Sequence, residues 1–129
     1  MRFLSLEEVI IIHDDQIERY GGSHGIRDLF LLESAIARLQ TTFGGTDLYP
    51  SIFLKAAVLA HSLIKNHAFV DGNKRTGTVS MLVFLEINEY KLNISQKKLV
   101  EIILKVESGK WSLERFKKTI DINSSKIVK

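Results

Sequence analysis

Two strongly apolar segments stand close together near the middle of the chain, and both repeat their apolar residues at helical spacing. Residues 52–64 are apolar nearly all round, and residues 79–87 are almost as apolar. A helix that is apolar on every side has to be buried. The sequence therefore predicts a hairpin of two central helices, with the rest of the chain packed around it.

Helix-start and helix-stop signals divide the remaining chain into further helices. The chain has one proline, and short Gly, Ser and Asn clusters separate its periodic segments, which is typical of a helical protein. Side-chain oxygens at the starts and glycines at the ends set the boundaries. The predicted helices run from Ser5 (with an S-x-x-E capping box) to Gly21, Leu29 to Gln40, Pro50 to Asn66, Asn73 to Glu89, Ser95 to Glu107, and from Ser112 onward, with a loop over 41–49. We predict an all-α, compact bundle of about six helices, forming a single domain over residues 1–129.

Composition excludes several classes of protein. The chain has no cysteine, which excludes disulfide scaffolds, Cys-ligated metal sites and thiol nucleophiles. Its longest apolar runs are far shorter than the roughly 20 residues of a membrane span, and its first residues match no signal peptide. We therefore expect a cytoplasmic protein with no membrane contact.

The charge is unevenly distributed along the chain. From Gln96 onward there are nine Lys or Arg residues and four Asp or Glu residues. A basic segment of this size can contact nucleic acid or an acidic protein, and it can equally be a solvated helix face. We find no DNA-binding signature and expect no direct nucleic-acid binding.

The segment that joins the two central helices is the most polar stretch at a central position. It reads His-Ala-Phe-Val-Asp-Gly-Asn-Lys-Arg-Thr over 67–76. A glycine lets the backbone approach a ligand closely, and a helix N-terminus attracts anions through its free amides and its dipole. Asp71 can hold a divalent metal at a phosphate, and His67 can accept a proton near neutral pH. The predicted anion-binding residues are Gly72, Asn73, Lys74 and Arg75.

An ordinary helix–helix turn would also account for these residues one by one. Asp71 would then cap the following helix, Gly72 would permit the backbone conformation of the turn, and His67 would be a buried polar side chain with a hydrogen-bond partner. The segment is not a Walker A loop, because Thr78 stands where that motif needs Lys. Elsewhere, two histidines and two neighbouring aspartates would form a site only if the fold brought them together. These residues are His13, His24, Asp14 and Asp15.

The segment over 67–76 closely resembles the H-x-F-x-D/N-G/A-N-K-R signature of Doc (death-on-curing) toxins in the Fic/Doc, or Fido, superfamily. A second resemblance lies upstream, in Gly-Ile-Arg-Asp-Leu over 25–29 and in the residues that follow it up to Gly45. Together the two resemblances cover about half of the chain in the right order. They imply the all-α Fido fold.

The resemblance also implies roles for the motif residues. His67 would be the general base on a target hydroxyl, and Phe69 would anchor the loop in the core. Asp71 would coordinate Mg²⁺. The anion-binding start of the following helix would comprise Gly72, Asn73, Lys74 and Arg75.

Two reactions share this chemistry. Doc toxins are understood to transfer the γ-phosphate of ATP to a threonine of elongation factor Tu, which stops translation, whereas Fic proteins transfer a nucleotidyl group. Lys74 stands where nucleotidyl-transferring proteins have a second Gly, and Thr78 stands where they have a second Arg. Both differences favour the kinase. The alternatives are AMP transfer and a non-catalytic Fido-fold binding module.

The resemblance further implies a partner chain. In many Fic proteins a glutamate followed by Gly or Asn restrains the nucleotide from within, and no glutamate of this sequence is followed by either residue. We therefore expect the toxin of a type II toxin–antitoxin system, restrained by a separate Phd-type antitoxin. Its disordered tail would fold into an apolar groove near the His67 loop.

Overall fold

The computed structural model describes residues 1–128, and within this range helices dominate. The six helices are α1 (Leu6–Tyr20), α2 (Leu29–Ala37), α3 (Ile52–Asn66), α4 (Asn73–Ile87), α5 (Gln96–Glu107) and α6 (Leu113–Ile122). Four short strands complete the fold: β1 (Thr42–Phe43) pairs with β2 (Thr46–Asp47), and β3 (Tyr90–Leu92) pairs with β4 (Ser124–Lys126). The predicted all-α bundle of six helices is confirmed. Over the described range, no helix is both long and apolar enough to cross a bilayer.

Five of the six described helices begin at a side chain that caps them. The caps are Ser5, Asp28, Ser51, Ser95 and Ser112, and each accepts a hydrogen bond from a backbone N–H in the first turn. The predicted capping box is present in full, since Glu8 also accepts from the N–H of Ser5 at 2.9 Å. Such caps stabilise a helix start by about 1 kcal/mol each. The exception is α4, whose N-cap is Gly72 and which has no side-chain cap.

Helix α3 forms the centre of the core, as its composition predicts. It packs against α2, α4 and α6, and nine of its residues are buried. Its closest neighbour is α4, where Gly77 faces Ile64 and the backbone of Ala60. A Cβ at Gly77 would lie 2.9 Å from Ile64 Cγ1 and 3.1 Å from the Ala60 carbonyl oxygen. The two central helices therefore approach so closely that the contact has room only for glycine.

Three helix boundaries differ from the prediction. Pro50 precedes α3 instead of lying in its first turn, because Ser51 is the N-cap and its Oγ accepts from Leu54 N–H at 2.9 Å. Helix α2 ends at Ala37, and a 3₁₀ turn over Arg38–Gln40 takes its place. Helix α4 ends at Ile87, because the chain leaves the helix at Asn88 and then enters β3.

The predicted loop over 41–49 contains a β-hairpin. Gly44 and Gly45 connect β1 to β2, and both have positive φ, 57° and 80°, as the two-residue turns favoured by hairpins require. The hairpin is fixed to α3 by Lys55, which is buried and donates to Asp47 Oδ2 at 2.7 Å and to the Leu39 carbonyl at 2.9 Å. The second strand pair was also missed, because its partners lie far apart in the sequence.

We predict that Gly77→Ala destabilises the protein. Alanine is favoured over glycine in a helix by about 1 kcal/mol, but overpacking a close contact costs about 1–3 kcal/mol, and here the added methyl group would meet Ile64 and backbone. Urea denaturation should show a lower midpoint. Glu86→Ala, at an exposed position of the same helix, should stay within about 0.5 kcal/mol of the wild type. A Gly77→Ala protein that is more stable than the wild type would contradict the close packing.

Candidate anion-binding and catalytic site

The loop between α3 and α4 is fixed at its centre by Phe69 and Asn73. The Phe69 side chain is 2% exposed, as its predicted anchoring role requires. The Asn73 amide bonds both sides of this residue: Phe69 N–H donates to Asn73 Oδ1 at 3.0 Å, and Asn73 Nδ2 donates to the Phe69 carbonyl at 3.0 Å. The Asn73 side chain therefore holds the loop, which leaves its backbone N–H as the group it can offer to an anion.

A second segment, residues 25–28, holds the loop from outside. The N–H groups of Arg27 and Asp28 donate to the Ala68 carbonyl at 2.7 and 3.0 Å, and Val70 N–H donates to the Gly25 carbonyl at 3.0 Å. The guanidinium of Arg27 donates to the His67 carbonyl at 2.6 Å and to the Asn66 carbonyl at 3.2 Å. Arg27 thus supports the end of α3, a role that its sequence context did not reveal.

His67 ends α3 in the left-handed conformation, with φ 49° and ψ 46°. Its side chain is exposed, and nothing among residues 1–128 forms a hydrogen bond with its ring. An imidazole in this state can accept a proton from a hydroxyl group placed beside it.

The motif residues surround a cleft of about 330 Å³. Every predicted site residue except Phe69 lines it, together with two residues that were not predicted, Val70 and Glu107. Glu107 ends α5, and its Oε1 lies 3.4 Å from Lys74 Nζ while its carbonyl accepts from Lys65 Nζ at 2.9 Å. No local sequence signal connects Glu107 to this cleft, because the contact spans 33 residues.

The start of α4 presents free amides to this cleft. Among the described residues, the backbone N–H groups of Asn73, Lys74 and Arg75 have no acceptor, and the first N–H bonded back into the chain is that of Thr76, to the Gly72 carbonyl at 3.0 Å. Uncapped amides at a helix start carry the positive end of the helix dipole. The start of α4 therefore lacks the side-chain acceptor that caps the other five helix starts of the described chain.

Asp71 places an ionised carboxylate at the edge of the same cleft. Ser23 N–H donates to its Oδ2 at 3.1 Å and Gly72 N–H donates to its Oδ1 at 2.8 Å. These two hydrogen bonds, the one from Ser23 first, and then the charge of Arg75 lower the pKa of the carboxyl group below its usual value. Gly22 permits this approach, since a Cβ there would lie 2.7 Å from Asp71 Oδ2.

These residues fit Mg²⁺ bound at a phosphate. Magnesium at such sites takes one or two carboxylates and completes its shell with phosphate oxygens and water. Asp71 supplies one carboxylate beside the free amides, and residues 1–128 contain no cluster of three or more His, Asp or Glu side chains that would hold a metal without phosphate. Arg75 lies at the cleft edge, where Nη2 donates to the Gly21 carbonyl at 2.9 Å.

The two upstream histidines, His24 and His13, lie in different environments. His24 lies outside the cleft with Glu18 Oε1 2.7 Å from Nε2 and Asp14 Oδ1 3.2 Å from Nδ1; the hydrogen bond to Glu18, then that to Asp14, raises its pKa. His13 is buried and reaches the back of the loop. Asp14 Oδ1 also lies 3.7 Å from His13 Nδ1, whereas Asp15 pairs with Arg19. Among residues 1–128 these side chains form no group that could hold a metal, and His13 instead contacts the motif loop.

The sequence is similar to one family of known proteins. The model of the Fic/DOC family matches residues 3–85. Toxin Doc of Mycolicibacterium smegmatis is 49% identical over 73 residues, which cover 57% of this chain and 56% of that protein. Protein kinase doc of Escherichia phage P1 is 31% identical over 120 residues, which cover 93% of this chain and 94% of that protein. The match thus spans about half of the first relative and nearly all of the second.

We predict that the Asp71 carboxyl titrates at lower pH in the folded than in the unfolded protein. Its pKa is lowered on folding, so its contribution to stability is present above the unfolded-state pKa and is lost as pH falls through the folded-state pKa. Carboxyl-carbon NMR titration of native and urea-unfolded protein measures both values. Equal values in the two states would show that the hydrogen bonds from Ser23 and Gly72 do not form in solution.

Proposed function

The chain belongs to the Fic/DOC family, and on this premise we propose that it is a toxin that transfers the γ-phosphate of ATP to a hydroxyl group of a protein. The observation that carries the proposal is the arrangement of one cleft. A free imidazole, an ionised carboxylate and an uncapped helix start line the same 330 Å³. Phosphoryl transfer needs a proton acceptor, compensation for phosphate charge, and positioning.

Each residue has a defined task in this proposal. The N–H groups at the start of α4 bind the phosphates of the nucleotide. The Lys74 side chain turns toward these phosphates and adds the positive charge of its ammonium group. Asp71 holds Mg²⁺, which when bound neutralises charge on the phosphate oxygens. His67 accepts the proton of the target hydroxyl as the oxygen attacks the γ-phosphorus. The new O–P bond forms while the bond to the β–γ bridging oxygen breaks, so that ADP leaves and the imidazole carries the proton.

The features of α4 favour phosphoryl over nucleotidyl transfer. Lys74 stands where nucleotidyl-transferring relatives have a glycine, so a charged side chain occupies the space in which their backbone contacts the nucleotide. Thr78 stands where they have a second Arg, and its hydroxyl is bonded to the Lys74 carbonyl at 2.7 Å. The proposed acceptor is a threonine of elongation factor Tu, on the strength of the resemblance to Doc toxins, and loss of that factor would arrest translation.

The decisive experiment is to follow the label from ATP. We predict that γ-labelled ATP with Mg²⁺ labels elongation factor Tu, or another protein of a cell lysate, and that α-labelled ATP does not. His67→Ala should lower the rate by roughly 10²–10⁴, the usual contribution of a general base, and should leave the fold intact because the ring is exposed and unbonded.

Lys97→Ala is the matched control, since Lys97 is exposed on α5 and does not line the cleft. This variant should label its target at the wild-type rate. Label from the α position would establish nucleotidyl transfer instead. Binding of Mg²⁺–ATP without any transfer would indicate a non-catalytic module, and wild-type activity in His67→Ala would remove the histidine from the mechanism.

We further propose that a separate Phd-type antitoxin restrains this toxin. Apolar side chains stand exposed on and beside the loop, namely Ile26, Leu29, Phe30 and Val70. An amphipathic helix that orders on binding buries such side chains. The sequence contains no glutamate in the pattern that restrains Fic proteins from within, which favours a restraint supplied by another chain.

We predict that expression of the chain alone arrests growth and that co-expression of an adjacent small reading frame restores it. The His67→Ala variant, expressed to the same level, should be harmless because it lacks the proton acceptor. Growth curves and pulse labelling of protein synthesis measure both effects. Normal growth of cells that contain folded, nucleotide-binding wild-type protein and no partner would contradict the toxin–antitoxin assignment.

A further inference from the structure

His13 of α1 lies behind the motif loop, inside the protein. It is 1% exposed, and its ring stacks on that of Phe69 with the centroids 3.8 Å apart and the planes 5° from parallel. Its Nε2 lies 2.8 Å from the carbonyl oxygen of Asp71. A buried polar side chain on a helix that contributes none of the motif residues thus reaches the peptide just before the anion-binding helix.

The partner of this hydrogen bond defines what the ring does. A carbonyl oxygen can only accept, so Nε2 carries the hydrogen and His13 is the donor. The other ring nitrogen lies 3.7 Å from Asp14 Oδ1, too far for a hydrogen bond. The stack on Phe69 fixes the ring plane, and the Phe69 side chain is itself fixed in the core. The donor is therefore held in one direction.

The bonded carbonyl belongs to the Asp71–Gly72 peptide, which lies just before α4. The Asp71–Gly72 peptide is trans, so its C=O and N–H point in opposite directions. With the carbonyl held against His13, the N–H of Gly72 turns to the Asp71 carboxylate, where it donates to Oδ1 at 2.8 Å. Gly72 adopts φ 75°, and a Cβ there would lie 3.7 Å from His13 Nε2. His13 on the carbonyl side and the Asp71 carboxylate on the N–H side thus hold the plane of the peptide that precedes the free amides.

Apart from the hydrogen bond from Gly72 N–H to the Asp71 carboxylate, the other contacts hold neighbouring parts of the loop and not this peptide. Asn73 bonds the Phe69 backbone, and Arg27 bonds the carbonyls of Asn66 and His67. Across residues 1–128, His13 is the one group that donates to the Asp71 carbonyl. Without it, the Asp71 carbonyl would lose its protein partner in a part-buried contact, and the glycine that follows permits the peptide to rotate.

We propose that His13 is a positioning residue of the anion site: it locks the Asp71–Gly72 peptide so that the α4 amides and the Asp71 carboxylate face the same phosphate group. The proposal rests on the proposed function only in taking phosphate as the ligand. His13 touches neither the nucleotide nor the target hydroxyl, and it acts through the backbone. Its removal therefore weakens phosphate binding, whereas removal of the proton acceptor His67 lowers the transfer rate.

Two variants separate the hydrogen bond from the packing of the ring. His13→Phe keeps an aromatic ring against Phe69 and loses the donor. His13→Gln loses the ring but places an amide N–H at a reach similar to that of Nε2. Val9→Ala is the control for stability alone, because Val9 is fully buried in the same helix, lies one turn before His13 and forms no hydrogen bond with the loop.

The first measurement is calorimetric binding of inorganic triphosphate in the presence of a chelator, which probes the anion site without metal or catalysis. We expect His13→Phe to bind about tenfold more weakly, as the loss of the donor that positions the Asp71 carbonyl implies. His13→Gln should recover most of that loss, and Val9→Ala should bind like the wild type despite a lower midpoint of unfolding. Wild-type affinity in His13→Phe, or equal loss in the Gln and Phe variants, would overturn the proposal.

The second measurement does not depend on any ligand. The amide NMR signals of Gly72 and Lys74 in the free protein report the orientation of the peptide, and they should shift in His13→Phe and stay near their wild-type positions in His13→Gln. If γ-label transfer fails while these shifts and triphosphate binding behave as expected, the kinase assignment is wrong and the positioning role stands. Unchanged amide signals in His13→Phe would exclude the positioning role whatever the activity.

Discussion

The double hydrogen bond between the Asn73 amide and the backbone of Phe69 is the interaction on which the site depends. It closes the turn between the two most buried helices and leaves the Phe69 side chain in the core. A loop at such a central place has to satisfy its remaining backbone groups. Residues 25–28 and the Arg27 guanidinium take the carbonyls on one side, and His13 takes the Asp71 carbonyl on the other. Hydrogen bonds from the surrounding elements thus reach the backbone of the loop on both sides of Phe69 and make the loop rigid.

This rigidity is what permits α4 to begin without a cap. A Ser or Asp at position 72 would satisfy one of the first-turn amides and stabilise the helix by about 1 kcal/mol, as happens at the other five helix starts of the described chain. Gly72 gives up that stabilisation, and its φ of 75° is one that a capping side chain would oppose. The amides stay open, and their position is held from outside the helix. Local stability is lower at the proposed anion site, and tertiary contacts compensate.

The sequence predicted the helices and the motif loop, which depend on neighbouring residues, and missed the contacts between residues far apart in the sequence. Caps and apolar periodicity placed six helices within a few residues, because capping and burial act over one or two turns. Pro50 was misplaced because Ser51 competes with it as the start of α3, and the hairpin over 42–47 was missed because its strands have only two residues each. The motif residues lie within one short loop and could be named together. Arg27, Glu107 and His13 could not, since they reach the loop from 40, 33 and 58 residues away.

In the free protein, Lys74 at the cleft pairs with Glu107, and this ion pair is weak enough to be replaced by a phosphate group. Lys74 Nζ lies 3.4 Å from Glu107 Oε1, and the two side chains are 49% and 30% exposed. An exposed pair at this distance contributes about 0–1 kcal/mol. A phosphate group carries more charge than one carboxylate, and it would also accept hydrogen bonds from the amides of α4, which Glu107 leaves unbonded. Little free energy therefore opposes transfer of the ammonium from Glu107 to an incoming phosphate. The pair keeps Lys74 at the mouth of the cleft at a small cost in affinity, while the amides of α4 and Asp71 behind it would define where a phosphate group binds.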